Sequence, residues 1–335
     1  MNIPEKNTVN IRRALKTVVT CLFASALLLL QGCSKNAADI IEASEKSDVP
    51  LVVSTIFPGY DFAGQVGGEK VMVYQLLKPG AESHTYEPTP QDMLLIEKCD
   101  VFIYPGGESD SWMSDILENS ENDGRKIISM MDEVTPVEEE ESEGMHEGGV
   151  LSYLFEEEEE EMDEHVWCSP ANAALISKAV KDALKEVAPQ YADIYEENFK
   201  VYEEKLTQLD EAYRQCVAGA KRKEIVVADR FPFRYLCDEY GLSYYAAYPG
   251  CSEDAEVTAD TVITLCNVVN EKKIPVVFTI EFSSGKIADC VCECTNAKKL
   301  TLNSAHNVSN DDIKKGVSYI SIMEDNLKNL REALY

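Results

Sequence analysis

The chain has 335 residues, 45% of them hydrophobic and 27% charged, and its 60 acidic against 31 basic side chains give a formal net charge of -29. That composition is globular, and the length leaves room for two lobes with their own cores once a leader is set aside. So large an acidic excess argues against a nucleic-acid partner, because a phosphate backbone would be repelled, and suits an exported protein that handles cations.

At the N-terminus Arg12, Arg13 and Lys16 precede an apolar run over 18–30. The run is too short to span a bilayer stably and has the charged and apolar regions of a secretory signal. It closes on Leu29-Leu30-Gln31-Gly32-Cys33, which is similar to a bacterial lipobox. Residues 1–32 are therefore expected to be a lipoprotein signal peptide, with Cys33 carrying a diacylglyceryl anchor at the extracytoplasmic face of the cell membrane. An uncleaved anchor, or an ordinary signal with a coincidental cysteine, is the alternative. Residues 33–49 read as a polar tether.

From 51 onward apolar runs alternate with helical patterns. Strands are predicted over 51–56, 71–77, 101–104 and 126–129, with helices over 60–66, 89–98 and 112–118; Thr89 caps the second of these, with Pro90 in its first turn. The β-α-β order is that of a parallel sheet covered by helices, so residues 50–190 form a first α/β lobe. Within it, 137–164 is acidic low-complexity sequence, with an unbroken glutamate run over 156–161 and a lone His146. Such a block repels itself and stays solvated; weak collection of cations and plain solubility are both open readings.

Helical patterns follow over 171–186 and from 191 to about 218. At 1.5 Å per residue the second is roughly 40 Å long, enough to link two lobes, so 191–220 is taken as a linking helix. Residues 221–335 repeat the alternation as a second α/β lobe, with strands over 224–228, 242–247, 276–280 and 299–302. Helices are predicted there over 233–240, 258–270, 284–295 and 317–334. Two such lobes leave a cleft where the strand ends face each other.

The 11 cysteines leave an odd number once Cys21 departs with the leader and Cys33 is lipidated. Most lie inside apolar patterns and read as small buried hydrophobes in a poorly oxidising habitat. Cys290, Cys292 and Cys294 fall on a predicted helix that turns Cys292 away from the other two, which disfavours a thiolate metal site.

Two histidine segments carry the chemistry. The first, K-P-G-A-E-S-H-T-Y-E-P-T-P-Q-D over 78–92, presents His84 on a Pro-Gly turn after a strand, flanked by Glu82 and Glu87. The second, D-E-H-V-W-C-S-P over 163–170, places His165 on a loop just ahead of a Ser-Pro helix start. Together they resemble the metal-contacting segments of the solute-binding proteins of zinc and manganese ABC importers, whose D-P-H-x-W-x-S-P signature appears here with Glu164 in place of Pro. The resemblance implies two α/β lobes, each a parallel sheet flanked by helices, joined by a long rigid backbone helix that restricts hinge opening, with a metal site in the interlobe cleft.

That resemblance also implies ligands from the second lobe. The family's third ligand is a His or Glu in a motif like H-D-A-F-x-Y; here 227–235 reads V-A-D-R-F-P-F-R-Y, the expected position holds Ala228, and Asp229 is the nearest carboxylate, either ligating or pairing with Arg230 or Arg234. The fourth, usually a carboxylate after the last strand, meets L-N-S-A-H-N over 302–307, so His306 is expected to replace it. Glu281 matches a segment at the cleft wall and is expected to orient a ligating histidine or cap a helix. Three imidazoles and one carboxylate favour Zn(2+), with Mn(2+) as the alternative.

The resemblance further implies docking on an ABC permease, and since no G-x-x-x-x-G-K-[ST] loop occurs, its ATPase is another chain. The protein is expected to act as a monomer. An enzyme is disfavoured, because no H-E-x-x-H helix exists and a site closed by four protein ligands leaves no position for a reacting water. A surface adhesin or structural lipoprotein, using the anchor and the acidic loop, is the competing class.

Overall fold

The computed structural model describes residues 37–107, 110–113, 116, 124–140, 142, 161–250 and 257–335. The expected signal peptide, Cys33, Cys251, His146, the glutamate run up to residue 160 and most of the helix predicted over 112–118 lie outside the described residues.

Residues up to Lys46 form a unit of their own, separate from Ser47–Tyr335. Its described part is helix α1, Ala37–Glu45, where the sequence was expected to give a polar tether. Alanine-rich composition, apolar residues at Ala37, Ile40 and Ile41, and a Glu42–Lys46 pair one turn apart account for the difference.

Within the main unit the first sheet is built from β1 (Leu51–Ser54), β2 (Met72–Gln75), β3 (Val101–Tyr104) and β4 (Lys126–Ser129), in the order β2-β1-β3-β4. All three pairings are parallel, with Leu51 opposite Met72, Val52 opposite Val101 and Val101 opposite Lys126. β1 and the first three residues of β3 are buried, as a central parallel strand covered on two faces must be. Helices α2 (Phe57–Gly67) and α3 (Pro90–Lys98) belong to this lobe. α3 begins as the sequence predicts: Thr89 and Asp92 form a reciprocal capping box ahead of Pro90.

The second sheet repeats the plan with β5 (Glu224–Phe231), β6 (Ser243–Pro249), β7 (Val276–Thr279) and β8 (Lys298–Thr301), ordered β6-β5-β7-β8 and again all parallel. β5 runs past the predicted end at 228 because its register against β6 shifts between Val227 and Arg230 and pairing then resumes at Arg230–Tyr248 and Phe231–Pro249. The bulge re-aims the residues it contains. In each sheet the strand order reverses between the first two neighbours in sequence and the third, which puts the crevice at the carboxyl ends of β1 and β5.

Two helices connect the lobes in sequence. α4 (Pro170–Val187) starts at Ser169, whose hydroxyl accepts from the Asn172 amide, and α5 (Ala192–Ala218) follows after a short turn. α5 buries Tyr195, Phe199, Tyr202, Leu206, Leu209 and Tyr213, a three-and-four spacing that keeps one face against the core. Its two halves are tied to different lobes: Tyr195 donates to Lys70 O at 2.7 Å and Asn198 to Val66 O at 3.0 Å, whereas Tyr213 donates to Met323 O at 2.7 Å. The second lobe is completed by α6 (Arg234–Tyr240), α7 (Ala259–Lys272), α8 (Lys286–Cys294), α9 (Asn310–Lys315) and α10 (Tyr319–Leu334), of which α9 was not predicted. One core runs from Val52 through α5 to Leu334, and a smaller one lies between the second sheet, α7 and α8.

Every described cysteine is a free thiol. Cys99, Cys168, Cys216, Cys237 and Cys266 are buried, and Cys290 and Cys294 are exposed.

Candidate metal centre

The His84 loop leaves β2 through the Lys78-Pro79-Gly80 turn. Gly80 sits at φ 78, a conformation that favours glycine, and Ala81 donates back to Lys78 O at 2.9 Å. The loop is held from the other lobe: buried Asn307 donates to Lys78 O at 2.7 Å and Ala81 O at 2.9 Å and accepts from Gln75, while Gly80 donates to Val308 O at 3.0 Å. Half-buried His84 has its pKa lowered to about 2, first by burial and then by the fields of His165, Arg230 and His306. Its imidazole is neutral at any ordinary pH, the state that coordinates a metal.

His165 is 3% exposed and its ring lies 5.3 Å from that of His84, centroid to centroid. Asp163 sets its orientation, accepting from the His165 amide at 2.8 Å and meeting Nδ1 at 3.2 Å. Gly250 closes on it from the end of β6, so a Cβ there would stand 3.2 Å from His165 Cε1 and 2.7 Å from Phe231 O. Trp167 donates from Nε1 to Ser304 O at 2.7 Å, fastening this motif to the loop that carries His306.

That loop follows β8. Ala305 takes φ 62, a sparsely populated conformation for a non-glycine, with its amide bonded to Asn303 Oδ1 at 2.7 Å. His306, 5% exposed, places Nδ1 2.8 Å from Glu281 Oε1 and 2.9 Å from Ser304 Oγ, and Glu281 also accepts from the Ser304 amide at 2.8 Å. Burial works to raise the Glu281 pKa, but the hydrogen bond and field of His306 and the bonds from Ser304 outweigh it and hold the carboxyl below its usual range. An ionised Glu281 fixes the proton on Nδ1 and leaves Nε2 as the donor atom. His306 Nε2 is buried with no hydrogen-bond partner among the described residues.

Asp229 is placed differently from the other expected ligands. Its Oδ2 accepts from Thr279 Oγ1 at 2.7 Å, and its Oδ1 accepts from the Arg230 amide at 3.1 Å and from Tyr248 OH at 3.4 Å. The carboxylate thus ties the irregularity in β5 to β6 and β7. The two arginines near it have other carboxylates within reach: Arg230 lies 3.7 Å from Glu82, and Arg234 reaches Glu140 at 3.3 Å and Asp238 at 3.7 Å. Ala228 is fully buried in the smaller core.

A third carboxylate, Glu82, two residues before His84, lies with Oε1 4.0 Å from His306 Nε2, on the side of the ring away from Glu281. Beside His84 a cavity of about 20 Å³ is lined by Thr55, Tyr86, Asp110, Glu164 and Trp167. Burial, helped by Glu164, pushes the Asp110 pKa up to about 7. Of the residues singled out in the sequence, His84 and His165 have neighbouring rings and Glu281 holds His306, while Arg230 as a cleft residue and Asn307 as a clamp were passed over. Arg230 had a local signal: with Phe233 and Tyr235 on the F-x-Y of the H-D-A-F-x-Y motif, the motif's histidine falls on Arg230 rather than Ala228, whereas Asn307 depends on the opposite lobe.

The donor set suits a borderline metal: imidazoles, one with a buried nitrogen that has no hydrogen-bond partner among the described residues, and a nearby carboxylate. As they stand, no group of three or more His, Cys, Asp or Glu among the described residues is gathered closely enough to hold a metal. The arrangement is open, and the separations above measure by how much.

Fold and site together define a two-lobed α/β binding protein built around a histidine-lined cleft. The chain belongs to the ZnuA family, described as zinc-uptake complex component A, periplasmic, whose model matches residues 52–333. It is 31% identical over 320 residues to the zinc-binding lipoprotein AdcA of Streptococcus pneumoniae, in an alignment taking in 95% of this chain but 61% of that protein. The chain therefore spans about three fifths of that relative's length, the 61% just given. It is also 31% identical over 313 residues to the high-affinity zinc uptake system protein ZnuA of Bacillus subtilis, covering 93% of this chain and 96% of that one. Among solved structures, the Zn(II)-bound ZnuA-like domain of Streptococcus pneumoniae AdcA superposes with a TM-score of 0.69 at 29% identity, over 85% of this chain and 99% of that domain. The metal-dependent lipoprotein YcdH of Bacillus subtilis superposes with a TM-score of 0.71 at 28% identity, over 85% of this chain and 100% of that one.

Proposed function

We propose that this chain captures zinc in the interlobe cleft, through His84, His165 and His306, and delivers it to the permease of an ABC importer. The observation that carries this reading is the placement of His306: Nδ1 is held by Glu281 while Nε2 is buried with no hydrogen-bond partner among the described residues, 4.0 Å from Glu82 Oε1, where a cation would complete it. Asp229 serves to hold the bulge of β5 rather than to ligate. Loading draws the imidazoles together, because zinc–nitrogen bonds of about 2 Å demand a tighter cluster than the open cleft has. The ties of α5 to both lobes keep that movement small. Family membership and the names of the zinc-binding relatives support zinc over manganese, as does the weight of imidazole in the donor set.

Cys33 is proposed as a lipid anchor that keeps the protein at the extracytoplasmic membrane face, in keeping with relatives named lipoproteins. The role is binding and hand-over rather than catalysis. The test is metal analysis and calorimetry on the full chain in detergent with zinc and manganese. Zinc is expected to bind below micromolar, and His84→Ala and His165→Ala to weaken it by at least 100-fold. Failure of wild type to bind either metal, or histidine variants indistinguishable from it, would leave a surface adhesin or structural lipoprotein as the better account.

A further inference from the structure

Arg230 is out of place in a cleft that receives a divalent cation. A guanidinium carries its charge at every accessible pH, and here it stands close enough to His84 to help depress the imidazole's pKa. Its position is built: the bulge between Val227 and Arg230 turns the end of β5, and Asp229 fastens that bulge through Thr279, Tyr248 and the Arg230 amide. The side chain is mostly buried, 19% exposed, and Nη1 lies 3.7 Å from Glu82 Oε1.

The same Glu82 oxygen lies 4.0 Å from His306 Nε2. With its proton on Nδ1, a neutral His306 presents a lone pair at Nε2, and an ionised carboxylate presents only acceptors. Nε2, the nitrogen that Glu281 leaves over, and the Glu82 carboxylate thus face each other 4.0 Å apart, and an ion bonded to both by bonds of about 2 Å would draw them closer together. Glu82 thus faces two cation positions, one filled by Arg230 from the second lobe and one beside His306.

We propose that Arg230 is a built-in stand-in for the cation: in the unloaded cleft its guanidinium neutralises Glu82, and on capture Glu82 turns from Arg230 to the metal beside His306. The inference rests on the zinc-binding reading and deepens it. Glu82 becomes the carboxylate of the loaded site, a role the sequence had given to Asp229. Arg230 lowers affinity and speeds release, because its charge opposes the incoming ion and competes for the ion's carboxylate. A protein that must surrender its cargo gains from such a competitor, since dissociation, more than association, sets how long the metal is held.

The test measures zinc affinity by chelator competition, and release by stopped flow, on the full chain in detergent for wild type, Arg230→Met, Arg230→Gln, Arg230→Lys and Glu82→Gln. Far-ultraviolet circular dichroism of the metal-free forms confirms the fold, and the Gln variant stands in for Met if the apolar side chain disturbs it. Arg230→Met and Arg230→Gln should bind zinc about 10- to 100-fold tighter and release it correspondingly more slowly, because a positive charge beside the ion has gone. Arg230→Lys should stay within about threefold of wild type, since the charge remains. Glu82→Gln should weaken binding about tenfold or more by removing an anionic donor. If both neutral Arg230 variants bind zinc no tighter than wild type, or Glu82→Gln binds as well as wild type, while wild type itself binds zinc, the stand-in role is wrong and the cargo reading survives. If wild type binds no zinc, both fall together.

Discussion

His306 shows what a single residue gains from its surroundings. Glu281 and Ser304 hold one ring nitrogen, so the imidazole has one orientation with Nε2 turned away from them, and its rotational freedom is spent before any ligand arrives. Glu281→Gln keeps the shape but removes the charge that fixes the proton on Nδ1 and raises the basicity of Nε2. The expected result is a zinc affinity lower by about 10- to 100-fold with the fold intact, read by chelator competition and circular dichroism. The histidines themselves were legible in the sequence because only 4 occur and two sit in recognisable motifs. Glu281 was legible through the same resemblance. The partners of Asp229 were not legible, because proximity in sequence to an expected ligand position says nothing about a register shift, and beside that shift its oxygens meet Thr279 and Tyr248.

At the scale of elements, the segment after β8 does more than present His306. It receives the Phe57 amide at His306 O and the Gly80 amide at Val308 O, both at 3.0 Å, and Trp167 Nε1 at Ser304 O. Through Asn307 it also holds the turn that carries His84. Asn307→Ala removes a fully buried side chain whose amide group satisfies two carbonyls of the other lobe. The variant should lose about 2–3 kcal/mol of stability, seen as a lower denaturation midpoint with an unchanged slope. Zinc binding should weaken as well, since the His84 turn loses its hold. A variant with wild-type midpoint and wild-type affinity would show that the clamp is dispensable. Regular elements were the most legible part of the chain: β3 and β4 have the predicted bounds, and α3 has the predicted Thr89 cap. The departures occur where local propensity is overruled or overlooked, as in β5 beyond the bulge and in α1 and α9.

For the molecule as a whole, α5 and the shared core make the two lobes one mechanical body, and Asp61 sits at the junction. It accepts from the Tyr319 amide at 3.2 Å, Tyr202 OH at 3.4 Å and Gln65 at 3.3 Å, joining α2, α5 and α10. Burial raises its pKa from 3.8 to about 6, against the lowering effect of those hydrogen bonds. Between those two values the folded state holds a proton that the unfolded state has released, so this group favours folding at low pH, and the advantage is lost as pH rises through about 6. Asp61→Asn removes that titration. Relative to wild type the variant should gain stability as pH rises from about 4 to 7, by on the order of 3 kcal/mol, in denaturant titrations of the metal-free protein. A difference independent of pH would contradict the raised carboxyl.

Cargo should stabilise the same body. With zinc at about 100 times its dissociation constant, linkage adds about 2.7 kcal/mol, so the melting temperature should rise by several degrees and fall back on chelation. An unchanged melting temperature would count against a cleft that closes on metal.

By itself the sequence determined the alternation of strands and helices, the break into two lobes around a long helix, the acidic character, and the two histidine motifs that mark the family. These are local properties, set by periodicity, caps and turns within a few residues of one another. Only the tertiary structure decided which carboxylate meets the histidines. Glu82 faces His306, Arg230 lies 3.7 Å from Glu82, and Asn307 reaches across to the His84 turn. Those outcomes depend on a bulge in one strand and on contacts between residues more than a hundred positions apart, and no pattern along the chain encodes either. The reason is physical: a side chain's role in a cleft is fixed by the backbone geometry and opposing surface it meets on folding, and both belong to the assembled molecule.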